Sequence, residues 1–513
     1  MILENAVIRT MDASLPTTRA LAIAADKIVG GTGTHESALA SPERVDLGGR
    51  CVVPGFTDAH VHFPQWALAR RQVRLEGARS LEEAVRRVAA AVPGTPRGRW
   101  IRGIGWRSAE WAPPVEPTKE ALDAVTGDVP VALAAKDGHS LWLNSAALAR
   151  ANGDLLVAGG VVERDERGEP TGVLREESAW RFREVYVETP ADEWLEATRE
   201  AIKVANARGV TAIHDKDGGL GALSLFGRLR DESALTLRVW QSLPHDRLES
   251  LAELGITSGF GDDLLRIGYL KVFMDGTLGS QTARLLDGSG VEITSGAELT
   301  EIVRRAARAG FPVAVHAIGD LANREVLDAF ERTQDEWRPR GLRQRIEHAQ
   351  LLAEEDVGRF AGLGVAASVQ FSHAPSDRDI ADRFWAGMTH RAYAYRSLLE
   401  SGALLANGSD APVEELDPLL GLRAGVLRSL DERDGWHPEQ TITIEAALAA
   451  STVAPAWLAR DERRRGRLVP GQLADLVVLD RDPVACPPDE LPAVRVVATM
   501  LAGRWVFGGP PFR

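Results

Sequence analysis

Eight short, nearly all-apolar runs occupy the middle of this chain, and most are separated by enough residues for a helix. They are residues 52–62, 209–215, 235–243, 267–275, 311–317, 342–350, 364–371 and 403–410. Segments such as ADEWLEATREAIKVANARG (191–209) and GAELTEIVRRAARAG (296–310) lie between them with helical periodicity. A strand that is apolar on both faces must be covered on both faces, as in parallel sheets flanked by helices. Eight such units predict a (β/α)8 TIM barrel. On this pattern alone, an open doubly wound sheet stays open as the alternative.

The two ends of the chain read differently. AVIRTMD and ALAIAADKIVG near the start are short strand-like runs with Gly and polar punctuation. GRLVPGQLADLVVLD and VRVVATMLAGRWVFGG near the end have the same character. Two separate caps would account for them. The sharper expectation is one small β-sandwich domain made from residues 1–53 and 465–513, with the barrel spanning 54–464. The first and second barrel strands are separated by far more chain than a βα unit needs. That interval holds its own strand-like runs, GRWIRGIGW (98–106) and VPVALAAKDGHSLWLN (129–144). Residues 98–190 are therefore expected to form a subdomain inserted after strand one and covering one face of the barrel.

The polar residues of the strands gather at one end. His60 and His62 close the first run, Lys271 lies on the fourth, His316 and His348 are near the ends of the fifth and sixth, and Asp410 closes the eighth. In a barrel those C-terminal ends converge on the face where active sites are built. Residues i and i+2 of a strand face the same way, so His60 and His62 can grip one ion. Imidazole suits zinc and similar divalent ions, and a carboxylate completes such a site. Each residue also has an ordinary reading: a histidine satisfied in the core, an aspartate capping a helix, Lys271 paired with Asp275. The set of four histidines and an aspartate, in a chain with eleven histidines, is what points to metal binding.

Composition closes off other classes. A net charge of −13 argues against nucleic-acid and anionic-membrane partners. Two cysteines, Cys51 and Cys486, are too few for a disulfide scaffold or a cysteine zinc site. The N-terminus shows no signal-peptide pattern and no apolar run is long enough to span a bilayer. The expectation is a cytoplasmic protein acting on a small-molecule substrate, with a homodimer left open.

At this point the chain resembles the amidohydrolase superfamily, and within it the amidohydrolase-3 branch of YtcJ-like proteins and N-substituted formamide deformylase. The matching pieces are PGFTDAHVHF, KDGHSLWLNSAAL (136–148), GEPTGVLRE (168–176), LKVFMDGTLGSQTA (270–283), VHAIGD (315–320), RIEHAQ (345–350), NGSDAPV (407–413) and PGQLADLVVLD (470–480). The resemblance implies the same barrel and terminal β-sandwich, and one or two divalent metals, usually zinc. It implies that His60 and His62 hold the more buried ion, that His316 and His348 hold the second, and that Asp410 contacts the first ion and the attacking water. It also implies that Lys271 is carboxylated and bridges the two ions; an unmodified lysine beside a single ion is the alternative.

The expected reaction is hydrolysis of an amide-type C–N bond other than a peptide bond, with an N-acyl or N-formyl amide as substrate and Asp410 as general base and then general acid. His139 is expected to act catalytically as an oxyanion donor, and Trp142, Asn144, Asp275, Ser280 and Gln281 to contact substrate. Trp66, Trp106 and Trp111 are read either as an apolar wall of the pocket or as core. Deaminase or cyclic-amide hydrolase activity in the same superfamily, or non-catalytic metal binding, are the alternatives. A serine hydrolase lacks support because no GxSxG elbow occurs, and no HExxH motif is present.

Overall fold

The computed structural model describes residues 1–30, 41, 43–152, 155–187 and 189–512. Residues 31–40, 42, 153, 154, 188 and 513, which fall in the expected ranges 1–53, 98–190 and 465–513, lie outside the described residues.

Eight parallel strands form the central sheet: β1 (Phe56–Val61), β2 (Val210–Asp215), β3 (Arg238–Pro244), β4 (Leu265–Phe273), β5 (Val313–Ala317), β6 (Arg345–His348), β7 (Ala366–Val369) and β8 (Leu405–Asn407). They are ordered β1 to β8 without a crossover. This is the (β/α)8 barrel that the apolar runs predict. Backbone hydrogen bonds bring the ends of the sheet together: Asp410 N–H donates to the His60 carbonyl at 2.7 Å and His62 N–H to the Ala411 carbonyl at 2.9 Å. Gly408 permits this approach, because a Cβ there would lie 2.3 Å from the His60 backbone nitrogen.

The flanking helices cover the barrel for local reasons. Ser295 caps Gly296–Arg308 by accepting from the Glu298 N–H. Ala191–Ala207 turns Leu195, Ile202 and Ala205 inward, against Phe63 and Trp66 of the short helix after β1. Burying an aliphatic or aromatic side chain of this size stabilises by roughly 1.5–3 kcal/mol. Among the described residues no helix is long and apolar enough to cross a membrane.

Both ends of the chain build a two-sheet β domain. One sheet runs Lys27–Gly30, Leu21–Ala24, Ile2–Glu4, Arg44–Asp46. The other runs Arg504–Phe507, Val496–Leu501, Leu476–Leu479, Cys51–Pro54, Val7–Arg9, Thr17–Thr18. Leu3, Ile8, Leu21, Val52, Leu476 and Met500 share its core. The first apolar run is thus two strands. Cys51–Pro54 belongs to the β domain and Phe56–Val61 to the barrel, with Gly55 at the joint. A Cβ at Gly55 would meet Thr211 Oγ1 at 2.2 Å, so the hand-over needs glycine.

The insertion has a six-stranded mixed sheet: Gly160–Arg164, Pro170–Glu176, Ser140–Leu143, Val131–Ala135, Ile101–Trp106, Val73–Arg74. It begins ahead of the expected boundary at residue 98, because Val73–Arg74 pairs with Ile101–Trp106 and the helix Leu81–Ala91 packs into the same core.

Candidate metal centre

Six of the polar side chains predicted at the strand ends meet around a cavity of about 380 Å³ at the C-terminal face of the barrel: His60, His62, Lys271, His316, His348 and Asp410, with His139 of the insertion beside them. His60 is completely buried, and its Nδ1–H donates to Glu347 Oε2 at 2.7 Å. His62 Nδ1–H donates to Asp217 Oδ1 at 2.7 Å. Both rings therefore turn Nε2 toward Asp410 Oδ1, at 3.3 and 3.6 Å. A carboxylate behind each imidazole is the arrangement that fixes the tautomer of a metal ligand. Burial, ahead of opposing and reinforcing charges, holds His60, His316 and His348 well below the ordinary histidine value, so these rings are neutral lone-pair donors.

Asp410 belongs to two groups of potential ligand atoms, His60–His62–Asp410 and His348–His373–Asp410. His348 Nδ1–H donates to Gln370 Oε1 at 2.8 Å, and His373 Nε2 lies 3.8 Å from Asp410 Oδ2. The ring centroid of His316 is 4.6 Å from that of His348, but His316 lies outside both groups and its Nε2–H faces the Gly276 carbonyl at 3.1 Å. Lys271 Nζ is buried without a hydrogen-bond partner, 4.6 Å from the Phe273 ring centroid, and burial lowers its pKa to about 8. His60 Nε2 is likewise buried and unpartnered. Orphaned buried donors converging on a shared carboxylate fit a divalent cation, since each would otherwise go unsatisfied. His348 (φ 74°) and Asp410 (φ 58°) both adopt the left-handed backbone region, which is uncommon for such residues and concentrates at functional sites.

Behind the first group lies a buried charge network. Glu347 faces Lys216 Nζ at 2.7 Å and an Arg345 guanidinium nitrogen at 2.7 Å, besides His60. Burial would raise the Glu347 carboxyl, yet Arg345, Lys216 and His60 together hold it well below its ordinary value. Burial also lowers Lys216 to about 7. Asp58 accepts from the His60 N–H and from the Ser409 N–H and hydroxyl, tying the tip of β1 to the loop after β8.

The insertion contributes one side chain to the cavity that the sequence points to and withholds two. His139 Nδ1 bonds Glu176 Oε2 at 2.6 Å, and its ring lies 5.2 Å from that of His316. Burial would lower His139, but Glu176, with Asp137 and Asp410, outweighs this and raises it, favouring the proton-bearing form. Trp142 is fully buried with Trp106 and Trp111 in the core of the insertion, its indole N–H bonded to the Thr118 carbonyl. Asn144 caps the turn Ser145–Leu148 and is enclosed by Val131, Thr126 and Val129. Neither reaches the cavity, which corrects the expectation of substrate contact.

The β4 loop residues also differ from expectation. Asp275 is fully buried, accepting from the N–H groups of Ile318, Gly319 and Arg284, and so holds the β4 and β5 loops together. Ser280 donates to Glu176 Oε1 at 2.9 Å, so it supports the partner of His139 from behind. Gln281 is exposed, at φ 59°, and lines none of the cavities around the centre. Trp66 is core, its indole N–H bonded to Glu415.

The chain matches the model of the amidohydrolase family over residues 43–507. It is similar to Protein LONG AFTER FAR-RED 3 of Arabidopsis thaliana, 33% identical over 506 residues, with 93% of this chain and 87% of that protein covered. It is 28% identical over 535 residues to N-substituted formamide deformylase of Arthrobacter pascens, covering 98% of this chain and 97% of that one. The crystal structure of an uncharacterized metal-dependent hydrolase from Pyrococcus horikoshii OT3 superimposes with a TM-score of 0.77 at 29% identity, covering 95% of this chain and 99% of that chain. With the family match running from the strands Arg44–Asp46 and Cys51–Pro54 of the β domain, through the whole barrel, to the C-terminal strands, this chain belongs to the amidohydrolase family of metal-dependent hydrolases.

Proposed function

We propose that this protein hydrolyses an amide-type C–N bond of a small molecule, an N-acyl or N-formyl amide, at the His60–His62–Asp410 centre. The observation that carries the reading is the placement of Asp410: one carboxylate, shared by two groups of imidazole donors, opening on a cavity large enough for a substrate. The similarity to N-substituted formamide deformylase supports the choice of bond. His60, His62 and Asp410 would hold one divalent cation, zinc by the nature of the donors. A second would draw on His348 and His316, with Lys271 carboxylated between the two; the unpartnered, buried Lys271 Nζ supports that modification. A bound cation supplies Lewis acidity and lowers the pKa of water.

The side chains do the rest. Asp410 takes a proton from the attacking water and delivers it to the departing nitrogen, so that the water oxygen joins the carbonyl carbon as the C–N bond breaks. His139, kept proton-bearing by Glu176, donates to the substrate carbonyl oxygen as negative charge grows there. Glu347 and Asp217 fix the rings of His60 and His62. The test is a panel of N-formyl, N-acyl and cyclic amides with metal-loaded protein, read as amine release, repeated after chelation and zinc return. Amine release that chelation abolishes and zinc restores is expected; ammonia released from an aminated ring, with no amide cleaved, would overturn the reading in favour of deamination.

A further inference from the structure

A second chamber of about 550 Å³ adjoins the metal cavity, and Arg183 borders both. It stands on the helix Glu177–Tyr186 of the insertion, half-buried, and its guanidinium makes no hydrogen bond or ion pair among the described residues. The other lysine and arginine side chains on the two walls are engaged. Arg102 bonds Thr189 and Glu193, Lys136 pairs with Glu414 at 3.0 Å, and Lys216 with Glu347 at 2.7 Å. Lys271 belongs to the metal centre.

No carboxylate of the wall answers Arg183. Asp217 acts on it through space, but its oxygens are taken by His62 and by the amide and backbone N–H of Gln65. Glu184, next in the helix, is exposed. Desolvation holds Arg183 below the ordinary arginine value, and Asp217 offsets this only in part. A guanidinium carries five donors in a planar fork matched to a carboxylate. Ile104, Leu220 and Pro412, common to both chambers together with Gln65 and Glu184, give the passage beside it an apolar side, and Leu141, Val187 and Trp194 continue that surface outward.

We propose that Arg183 is the anchor for a carboxylate on the substrate, so that the amide this enzyme cleaves is anionic, with its carboxylate a few bonds from the scissile C–N bond and its apolar substituent in the outer chamber. This rests on the hydrolase reading of the inner cavity. Because the Arg183 side chain makes no hydrogen bond or ion pair among the described residues, its replacement breaks no polar contact of the fold.

The test uses N-acetylphenylalanine, as both enantiomers, and N-(2-phenylethyl)acetamide, which differ only in the carboxylate. Binding is measured by calorimetry in the Asp410→Asn background so that turnover does not intervene. One enantiomer of the anionic ligand is expected to bind about tenfold or more tighter than the neutral amide. Arg183→Gln collapses that difference and Arg183→Lys keeps part of it. Equal affinities, no binding of either ligand, or a difference that survives Arg183→Gln overturns the proposal. If the Arg183-dependent preference holds but metal-loaded enzyme with Asp410 intact releases amine from neither compound nor from any panel amide, the hydrolase reading fails while the anion subsite stands.

Discussion

Glu347 accepts the Nδ1–H of His60 at 2.7 Å and, with the same carboxylate, faces Lys216 and Arg345, all of them fully buried. One acidic side chain thus sets the tautomer of a candidate metal ligand and faces two basic side chains beneath it. Glu347→Gln keeps the shape but removes the charge. Cation affinity is expected to fall by about 10–100-fold, the usual effect of losing a carboxylate behind a metal-binding imidazole. Stability is expected to fall by about 3–5 kcal/mol, because Lys216 and Arg345 are left uncompensated. Competition with a chelator and thermal denaturation read the two effects; unchanged cation affinity would remove Glu347 from the metal centre.

Asp410 combines burial, a left-handed backbone and contact with both imidazole groups. Asp410→Asn retains an oxygen for the cation but cannot accept the water proton. The expected outcome is a loss of about 10²–10⁴-fold in kcat with much of the bound cation retained. Elemental analysis beside single-turnover kinetics checks this, and near-normal kcat would show that the proton goes elsewhere.

Arg107 of the insertion meets Asp377, on the helix after β7, at 2.9 Å, with both side chains largely buried. Tyr393 O–H donates to the other carboxylate oxygen at 2.7 Å. Burial would raise Asp377, but Arg107 leads the groups that hold it below the ordinary aspartate value. A carboxyl lowered in the folded state stabilises above its unfolded pKa, and that contribution disappears as pH falls through the folded value. Asp377→Asn is therefore expected to lower stability by about 3–5 kcal/mol near pH 7. The gap between wild type and variant should close below about pH 4. Melting curves across that range decide it; a gap that does not depend on pH would mean the ion pair is not its source.

The barrel was legible because each strand is buried on both faces, which forces uninterrupted apolar runs such as VAVHA in β5. The side chains of its candidate metal centre were legible because they stand at the ends of those runs. What escaped notice lies off the strand tips. His373 begins a helix after β7, and Lys216 follows β2 in a turn-like HDKDG. Glu347 stands beside His348 in RIEHAQ, and both side chains lie against the His60 ring, because the left-handed backbone at His348 (φ 74°) interrupts the strand alternation on which the sequence reading relies. Parity also explains the misplaced residues of GHSLWLN. Trp142 and Asn144 are an odd number of residues from His139, so if His139 faces the barrel they face the core of the insertion. The sequence does not say which face that hairpin turns inward.

His373 has no role that strand position could suggest, and its tautomer gives it one. The Gln350 side-chain amide donates to His373 Nδ1 at 3.2 Å, which leaves the proton on Nε2, 3.8 Å from Asp410 Oδ2. In that state His373 turns a proton-bearing nitrogen toward Asp410, beyond hydrogen-bond distance, and offers a cation no lone pair, although its position would let it ligate. His373→Ala is expected to leave the number of bound ions unchanged and to lower kcat by about tenfold or more, with the change concentrated in kcat over KM because the proton matters only as the bond breaks. Metal analysis and steady-state kinetics on the same preparation separate the two roles: loss of an ion per chain would make His373 a ligand, with Gln350 presenting its oxygen instead of its nitrogen.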